Sequence, residues 1–383
     1  MEAPLLSAAL IARNEERFLG TCLDSLAGLA DEVIIVDTGS TDATPRIAEE
    51  RGITVHSFPW VDDFSAARNR ALDLARGEWI LYIDADERVR CGAANARKRL
   101  TDQRYIGFHV LLAPRQGLTP YWVLRLFRNH PSIRFRGIIH ENIWPALTEY
   151  RAAFGGKVGS TRLELDHFGY EDHQSRKDER NLPLLERALQ QDPERVYSWC
   201  HMAEILCKLG NEEAAVKAWR TAMDIARRHP KPLVDDSLPW SGLIGFEMNR
   251  RSETNRGSGT NAGSNAGALL DEALARFPDN LQFHWLKGRL LMNSERFEEA
   301  VPYFERLARA GETQVFSHHT AYDPRIMGVL PYESLATCHF RLRSWAEAVR
   351  YYDLALGCEP GRMDLRAKRA VAETKAAAGT ALA

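Results

Sequence analysis

Asp84-Ala85-Asp86 carries the plainest chemistry in this 383-residue chain. It follows the apolar run Trp79–Ile83, and residues two apart on an extended chain point to the same side. Both carboxylates can then face one cation. Hard oxygens of this kind suit Mg²⁺ or Mn²⁺, and such an ion can bridge a diphosphate. The plain alternative is a strand exit whose acids cap a helix or face water. Downstream, Arg125, Arg128, Arg134 and Arg136 in TPYWVLRLFRNHPSIRFRGIIHENIWP suit phosphate, although an edge hairpin also favours long cations. His140-Glu141 closes that stretch. In LDHFGYEDHQSRKDERN, His167 is either a metal or diphosphate ligand or a packed core histidine. Lys177 and Arg180, on the helix that follows, either reach a diphosphate or stay solvated. Trp122, Trp144 and Tyr170 offer rings to a sugar or to the core.

Such groups need a frame, and the first 110 residues supply one. Short β-rich runs at Leu6–Ala12, Glu32–Asp37, Thr54–Phe58 and Trp79–Asp84 alternate with helical patterns at Arg17–Leu26, Ala43–Arg51 and Ser65–Arg76. That alternation predicts βαβ units, an α/β fold and a mainly parallel sheet with helices on both faces. Ligands of such sheets bind at the carboxyl ends of the strands. The four strand ends read ARNEE, DTGSTD, WVDDFSAARN and DADE, all polar.

From about residue 175 the pattern becomes helical. Ala203 and Ala215, Gly288 and Ala300, and Ala336 and Ala348 repeat one spacing, each pair followed by an aromatic at Trp219, Phe304 or Tyr352. Small residues let two helices approach while the aromatic fills the next groove. This register resembles the tetratricopeptide repeat, a stacked helix–turn–helix unit. Arg251–Gly267, rich in Gly, Ser, Asn and Thr, has too few apolar groups to pack and is expected to be disordered. The expected division is therefore a sheet domain at 1–172 and a helical domain at 173–383.

LIARNEE, VDTGSTD and the DxD, in that order and spacing, resemble glycosyltransferase family 2, whose members have the GT-A fold and use nucleotide-activated sugars. The resemblance covers roughly residues 5–145. It implies that Ala12, Arg13 and Glu15 contact the nucleotide and that Asp37 and Thr38 read base and ribose. It sets Asp84 and Ala85 on the ribose and metal side, makes Asp86 the direct metal ligand with Asp84 and His167 beside it, and places Arg68 near the diphosphate with Asn69 in support. It also implies a Mn²⁺ or Mg²⁺ cofactor, UDP as the nucleotide and inversion at the anomeric carbon. Inverting transfer needs a base for the acceptor proton. Glu141, in a segment like the HE of a subgroup with C-terminal repeats, is the candidate, with His140 and Asp166 as rivals. His140, Arg125, Lys177 and Arg180 remain candidates for diphosphate or acceptor contact.

The balance of the whole chain narrows the partners. Lys+Arg 50 against Asp+Glu 52 leaves no basic footprint for bulk nucleic-acid binding. No apolar run approaches the roughly 20 residues that span a bilayer, and the start lacks the basic flank of a signal peptide. Six scattered cysteines without a CxxC suit a reducing cytoplasm. Tetratricopeptide arrays present grooves for extended peptides or pack as homodimers. Some transferases that the sequence resembles glycosylate peptide side chains, including cysteine in bacteriocin precursors, and others build polysaccharide or lipopolysaccharide. A peptide or protein acceptor is the favoured expectation, the glycan builders are the alternative, and a non-catalytic repeat scaffold is the remote one.

Overall fold

The computed structural model describes residues 3–114, 117–169, 174–254, 263–315 and 320–380, apart from the side chains of 174–177, 251–254, 263–264 and 379–380. Tyr170 and the Lys177 side chain lie outside the described residues. The chain forms two compact units, Met1–Ile205 and Leu206–Ala383.

The first unit is built on an eight-stranded sheet. Its strands are β1 (Leu6–Ala12), β2 (Glu32–Asp37), β3 (Val55–Ser57), β4 (Trp79–Tyr82), β5 (Glu87–Cys91), β6 (Tyr105–Pro114), β7 (Tyr121–Arg128) and β8 (Lys157–His167). They lie in the order β3-β2-β1-β4-β7-β6-β8-β5. The first four pair in parallel, as alternation with helices requires. Beyond β4 the sheet becomes mixed: β7 runs antiparallel to β4 and β6, β5 runs antiparallel to β8, and β6 and β8 are parallel. β7 is thus a central strand, not the edge hairpin expected.

Between the parallel strands lie α1 (Leu19–Ser25), α2 (Thr44–Glu49) and α3 (Phe64–Leu74). Pro45 opens α2 where its missing N–H costs nothing, and the Asp63 side chain caps α3 by accepting from the Ala66 N–H at 3.0 Å. Both sheet faces are covered. Leu10, Trp79, Leu81 and Phe108 bury on one side, and Ile34, Val36, Ile80 and Phe127 on the other. Two helices complete this sheet region, α4 (Ala93–Leu100) and α5 (Trp144–Phe154). Gly92, before α4, has φ +87°, and a Cβ there would collide with the Arg162 carbonyl.

Two further helices, α6 (Gln174–Gln191) and α7 (Val196–Lys208), follow the sheet. Leu184, Leu185 and Ala188 of α6 and Ile205 of α7 share a core with Ile138 and Ile139. That packing carries the first compact unit past residue 172, where the sequence pattern changes, to Ile205.

The second unit is helical: α8 (Glu212–Arg228), α9 (Leu238–Thr254), α10 (Gly263–Arg276), α11 (Leu281–Asn293), α12 (Phe297–Thr313), α13 (Val329–Arg341), α14 (Trp345–Cys358) and α15 (Met363–Thr380). Ala300, Phe304, Ala336, Ala348 and Tyr352 are all buried in one core. Gly288 serves close approach: a Cβ there would sit 2.7 Å from the Phe304 ring. The segment Arg251–Gly267 is not wholly without structure, because α9 runs on to Thr254 and α10 starts at Gly263. Its middle lies outside the described residues.

The close approach at Gly288 gives a direct test. Gly288→Val should cost about 1–3 kcal/mol through overpacking, and Phe304→Ala about 3–5 kcal/mol through the cavity it leaves. Both should appear as lowered urea midpoints by circular dichroism. An unchanged midpoint for Gly288→Val would mean that the two helices do not meet there.

Candidate active site

The carboxyl ends of β1, β2 and β4 and the start of α3 collect the polar segments. Asp37 ends β2 nearly buried, and its carboxylate accepts from the Gly39 and Ser40 N–H groups at 3.0 Å each and from the Ser40 hydroxyl. Thr38 donates its hydroxyl to the Ala12 carbonyl at 3.2 Å. Asn14, at φ +57°, accepts from the Thr41 N–H at 2.8 Å, and the Glu15 N–H donates to the Thr44 hydroxyl at 2.7 Å. These bonds tie the loops after β1 and β2 together. They set Ala12, Arg13 and Glu15 beside Asp37, with Arg13 exposed and Glu15 half-buried.

The centre is a buried charge network. Arg68 of α3 donates Nη2 to Asp84 Oδ1 at 2.6 Å and Nε to Glu141 Oε1. Arg125 of β7 donates Nη2 to Glu87 Oε1 and to Asp84 Oδ2, the latter at 3.3 Å. Tyr82 lies beneath both, its ring centroid 5.1 Å from the Arg68 guanidinium and 4.2 Å from that of Arg125. Glu87 closes the turn by accepting from the Asp84 N–H at 3.0 Å while its own N–H donates to the Asp84 carbonyl at 2.9 Å. Burial alone would raise the Asp84 carboxyl, but Arg68 and Arg125 overcome it and hold the group well below the usual carboxylate range. Burial pushes Glu87 up, Arg125 pulls it down and Asp84 pushes it up again, leaving it at about 7.

Asp86 takes a different direction. Its Oδ2 lies 3.3 Å from His167 Nε2, and a Cβ at Gly169 would fall on the same carboxylate oxygen. Burial works against a charged His167, yet the Asp86 hydrogen bond with the charges of Asp86, Glu87 and Asp84 raises it above the usual imidazole value. Around an octahedral ion with ligands at about 2.1 Å, neighbouring ligand atoms sit about 3 Å apart. The Asp86–His167 spacing and the room kept by Gly169 therefore fit two adjacent ligands of one divalent cation. Among the described residues no three His, Cys, Asp or Glu side chains gather into a metal site. Any further ligands must come from substrate and water.

The structure corrects several expectations. Asp84 and Asp86 do not face one cation: β4 stops at Tyr82 and the chain turns, so the two-residue alternation no longer holds. Arg125 is not available to phosphate, because it lies in a central strand, 7% exposed, and is paired with acids. Asn69 spends both ends of its amide on the Phe135 backbone, at 3.0 and 2.8 Å. Ala85 is core.

Among the rivals for the base, Asp166 accepts from Arg90 at 2.9 and 2.8 Å. His140 packs its ring 4.4 Å from His201 and 5.1 Å from Tyr197, and burial, His201 and Arg195 lower it to about 3. Glu141 is the rival brought into the network, 12% exposed. Arg180 holds Asn181 at 3.0 and 2.9 Å and lies 5.4 Å over the Phe64 ring at the start of α3. Arg134 and Arg136 pair with Asp73 and Glu149. Sequence reasoning missed Glu87 and Tyr82, both adjacent to the DxD. Their signal was an acid directly after the motif and an aromatic facing two arginines.

The network has a measurable cost of disruption. Arg125→Met leaves Glu87 and Asp84 buried without their counter-ion and should cost about 3–5 kcal/mol. Arg76→Ala breaks the Arg76–Glu32 pair, whose arginine side chain is 72% exposed, and should change stability by less than about 1 kcal/mol. Chemical denaturation of both variants checks the contrast, and equal effects would remove the central role given to Arg125.

Comparison with known proteins agrees with this geometry. Residues 7–92 match glycosyl transferase family 2, and residues 262–315 match the tetratricopeptide repeat. A TPR repeat-containing protein of Synechococcus elongatus is 36% identical over 234 residues, 59% of this chain and 58% of that one. The glycosyltransferase SunS of the Bacillus subtilis SPbeta prophage is 28% identical over 208 residues, 50% of this chain and 47% of that one. The chain thus spans about half the length of these curated relatives. No helix among the described residues is long and apolar enough to cross a membrane. The chain carries a glycosyltransferase family 2 domain followed by C-terminal tetratricopeptide repeats, the two families that its strand ends and its helical register resemble.

Proposed function

We propose that the protein is an inverting glycosyltransferase that moves a sugar from a nucleoside-diphosphate sugar, UDP being the nucleotide, to a peptide or protein side chain. One observation carries this reading. Arg68, Asp84 and Glu141, drawn from three separate motifs and up to 73 residues apart, converge at the carboxyl edge of the sheet of a family 2 domain. The tied loops after β1 and β2 offer Ala12, Arg13, Glu15 and Asp37 to the nucleotide. Asp86 and His167 would hold a divalent cation, Mn²⁺ or Mg²⁺, which when bound supplies positive charge to the diphosphate. Arg68 sets the position of Glu141 and adds positive charge near the leaving group. Glu141 takes the acceptor proton as the acceptor oxygen or sulfur attacks the anomeric carbon from the face opposite the nucleotide. The C–O bond to the diphosphate breaks and its electron pair leaves with the nucleotide. The helical repeats support an extended polypeptide as acceptor, because stacked helix pairs present concave surfaces.

Nucleotide release from a panel of nucleotide sugars, with Mn²⁺ and then with excess EDTA, tests the donor half. Turnover with at least one donor and its loss on chelation are expected. A protein inert toward every donor, in the presence of candidate peptides, would overturn the reading. Asp86→Asn should remove the metal-dependent turnover while leaving the urea midpoint in place, and undiminished activity would move the cation elsewhere. Glu141→Gln should lower transfer by about 100-fold or more, with donor affinity kept within about threefold. An equal loss in binding and transfer would make Glu141 a donor contact instead of a base.

A further inference from the structure

We infer that Arg195 is a positioning residue for Glu141: it locks the loop 137–141 in the shape that delivers the candidate base to Arg68. The inference deepens the proposed function and rests on the role given there to Glu141.

The loop is short and conformationally demanding. Reciprocal backbone bonds between Arg136 and Asn142, at 3.0 and 2.8 Å, close it. Within it Gly137 has φ +101° and His140 has φ +52°. The first is easy for glycine, but the second is a left-handed conformation that a side-chain-bearing residue adopts only when its surroundings impose it. Those surroundings can be named. The Ser65 hydroxyl donates to the Gly137 carbonyl, and the Phe64 N–H donates to the Ile138 carbonyl at 2.8 Å. Ile138 and Ile139 are buried beneath α6. These contacts fix the first half of the loop.

The second half, with the strained residue, depends on the start of α7. Arg195 donates Nη2 to the His140 carbonyl, the peptide that leads directly into Glu141. Its Nη1 lies where a Cβ at Gly137 would be, only 2.9 Å away, so the glycine also makes room for the guanidinium. The His140 ring is held between Tyr197 and His201 of the same helix. A peptide oxygen bonded to a cation cannot rotate away, and its orientation sets the direction of the next side chain. Glu141 consequently points at Arg68 and not at solvent.

The test compares Arg195→Met, which keeps the aliphatic stem, with Arg195→Lys and with the double variant His140→Gly/Arg195→Met. Nucleotide release and transfer are measured beside amide hydrogen exchange of residues 136–142. Arg195→Met should lower kcat about tenfold, the scale of a released left-handed residue, with donor KM within about twofold and faster exchange at Arg136 and Asn142. Arg195→Lys should fall between that variant and the wild type. The double variant should regain part of kcat, because glycine holds φ near +52° without a clamp. Unchanged exchange in Arg195→Met would overturn the clamp. Faster exchange with kcat within twofold of wild type would overturn its role in positioning Glu141. A wild-type protein inert with every donor would instead overturn the assignment of Glu141, while the exchange data still report on the loop.

Discussion

The ion pair between Arg68 and Asp84 is the constraint around which the first unit is arranged. The Arg68 side chain is only 10% exposed, and an arginine taken out of water costs several kcal/mol unless carboxylates meet it. Asp84 supplies one from the end of β4 and Glu141 supplies the other from the loop before α5. Arg125 then enters from β7 and brings Glu87. Two guanidiniums and three carboxylates would leave one excess negative charge in a buried place. Glu87, at about 7, resolves that excess by holding a proton near neutrality. The network couples α3, the DxD turn, β7 and the Glu141 loop, since removing any member strands a charge.

A division of labour among the acids follows. Asp84 and Glu87 are spent on arginines and fix the turn, whereas Asp86 points to His167 across the space that Gly169 keeps open. A cation site that depended on Asp84 would have to compete with two guanidiniums for its oxygens. A site made of Asp86, His167 and the ligands of a bound diphosphate avoids that competition. It also gives a reason for a DxD followed directly by a glutamate: the turn needs its own acid to close on Arg125, so that the second aspartate is left for chemistry.

What could be read from the sequence, and what could not, follows from range. β1 and β2 match the sequence runs residue for residue, because the apolar runs and their bounding turns are local signals. The polar strand ends were legible for the same reason, and so was the pairing of Gly288 with Phe304, since small residues at helical spacing are local too. The roles of single charges were not. Arg125 seemed free for phosphate on an edge strand, but β7 lies between β4 and β6, and its acid partner Glu87 is 38 residues away. His140 looked like a ligand beside Glu141, but its ring partners Tyr197 and His201 lie on a helix that begins more than fifty residues later. Asp84 was misdirected by a nearer cause: the extended geometry that aims alternate residues together ends two residues before it.

The boundary between the units shows the same difference between pattern and packing. Periodicity changes near residue 173, where sheet gives way to helix, and a sequence registers only that change. Compactness depends instead on which apolar surfaces are covered. Leu184, Leu185 and Ala188 of α6 find Ile138 and Ile139, the two residues that anchor the Glu141 loop. A loop holding a left-handed histidine and a buried ion pair cannot be stabilised by its own six or so residues, because its backbone gains too few hydrogen bonds to offset the strain. It needs apolar cover from outside the sheet, and α6 and the first turns of α7 provide it. The two helices are therefore required by the site on the sheet, whatever their resemblance in pattern to the repeats that follow.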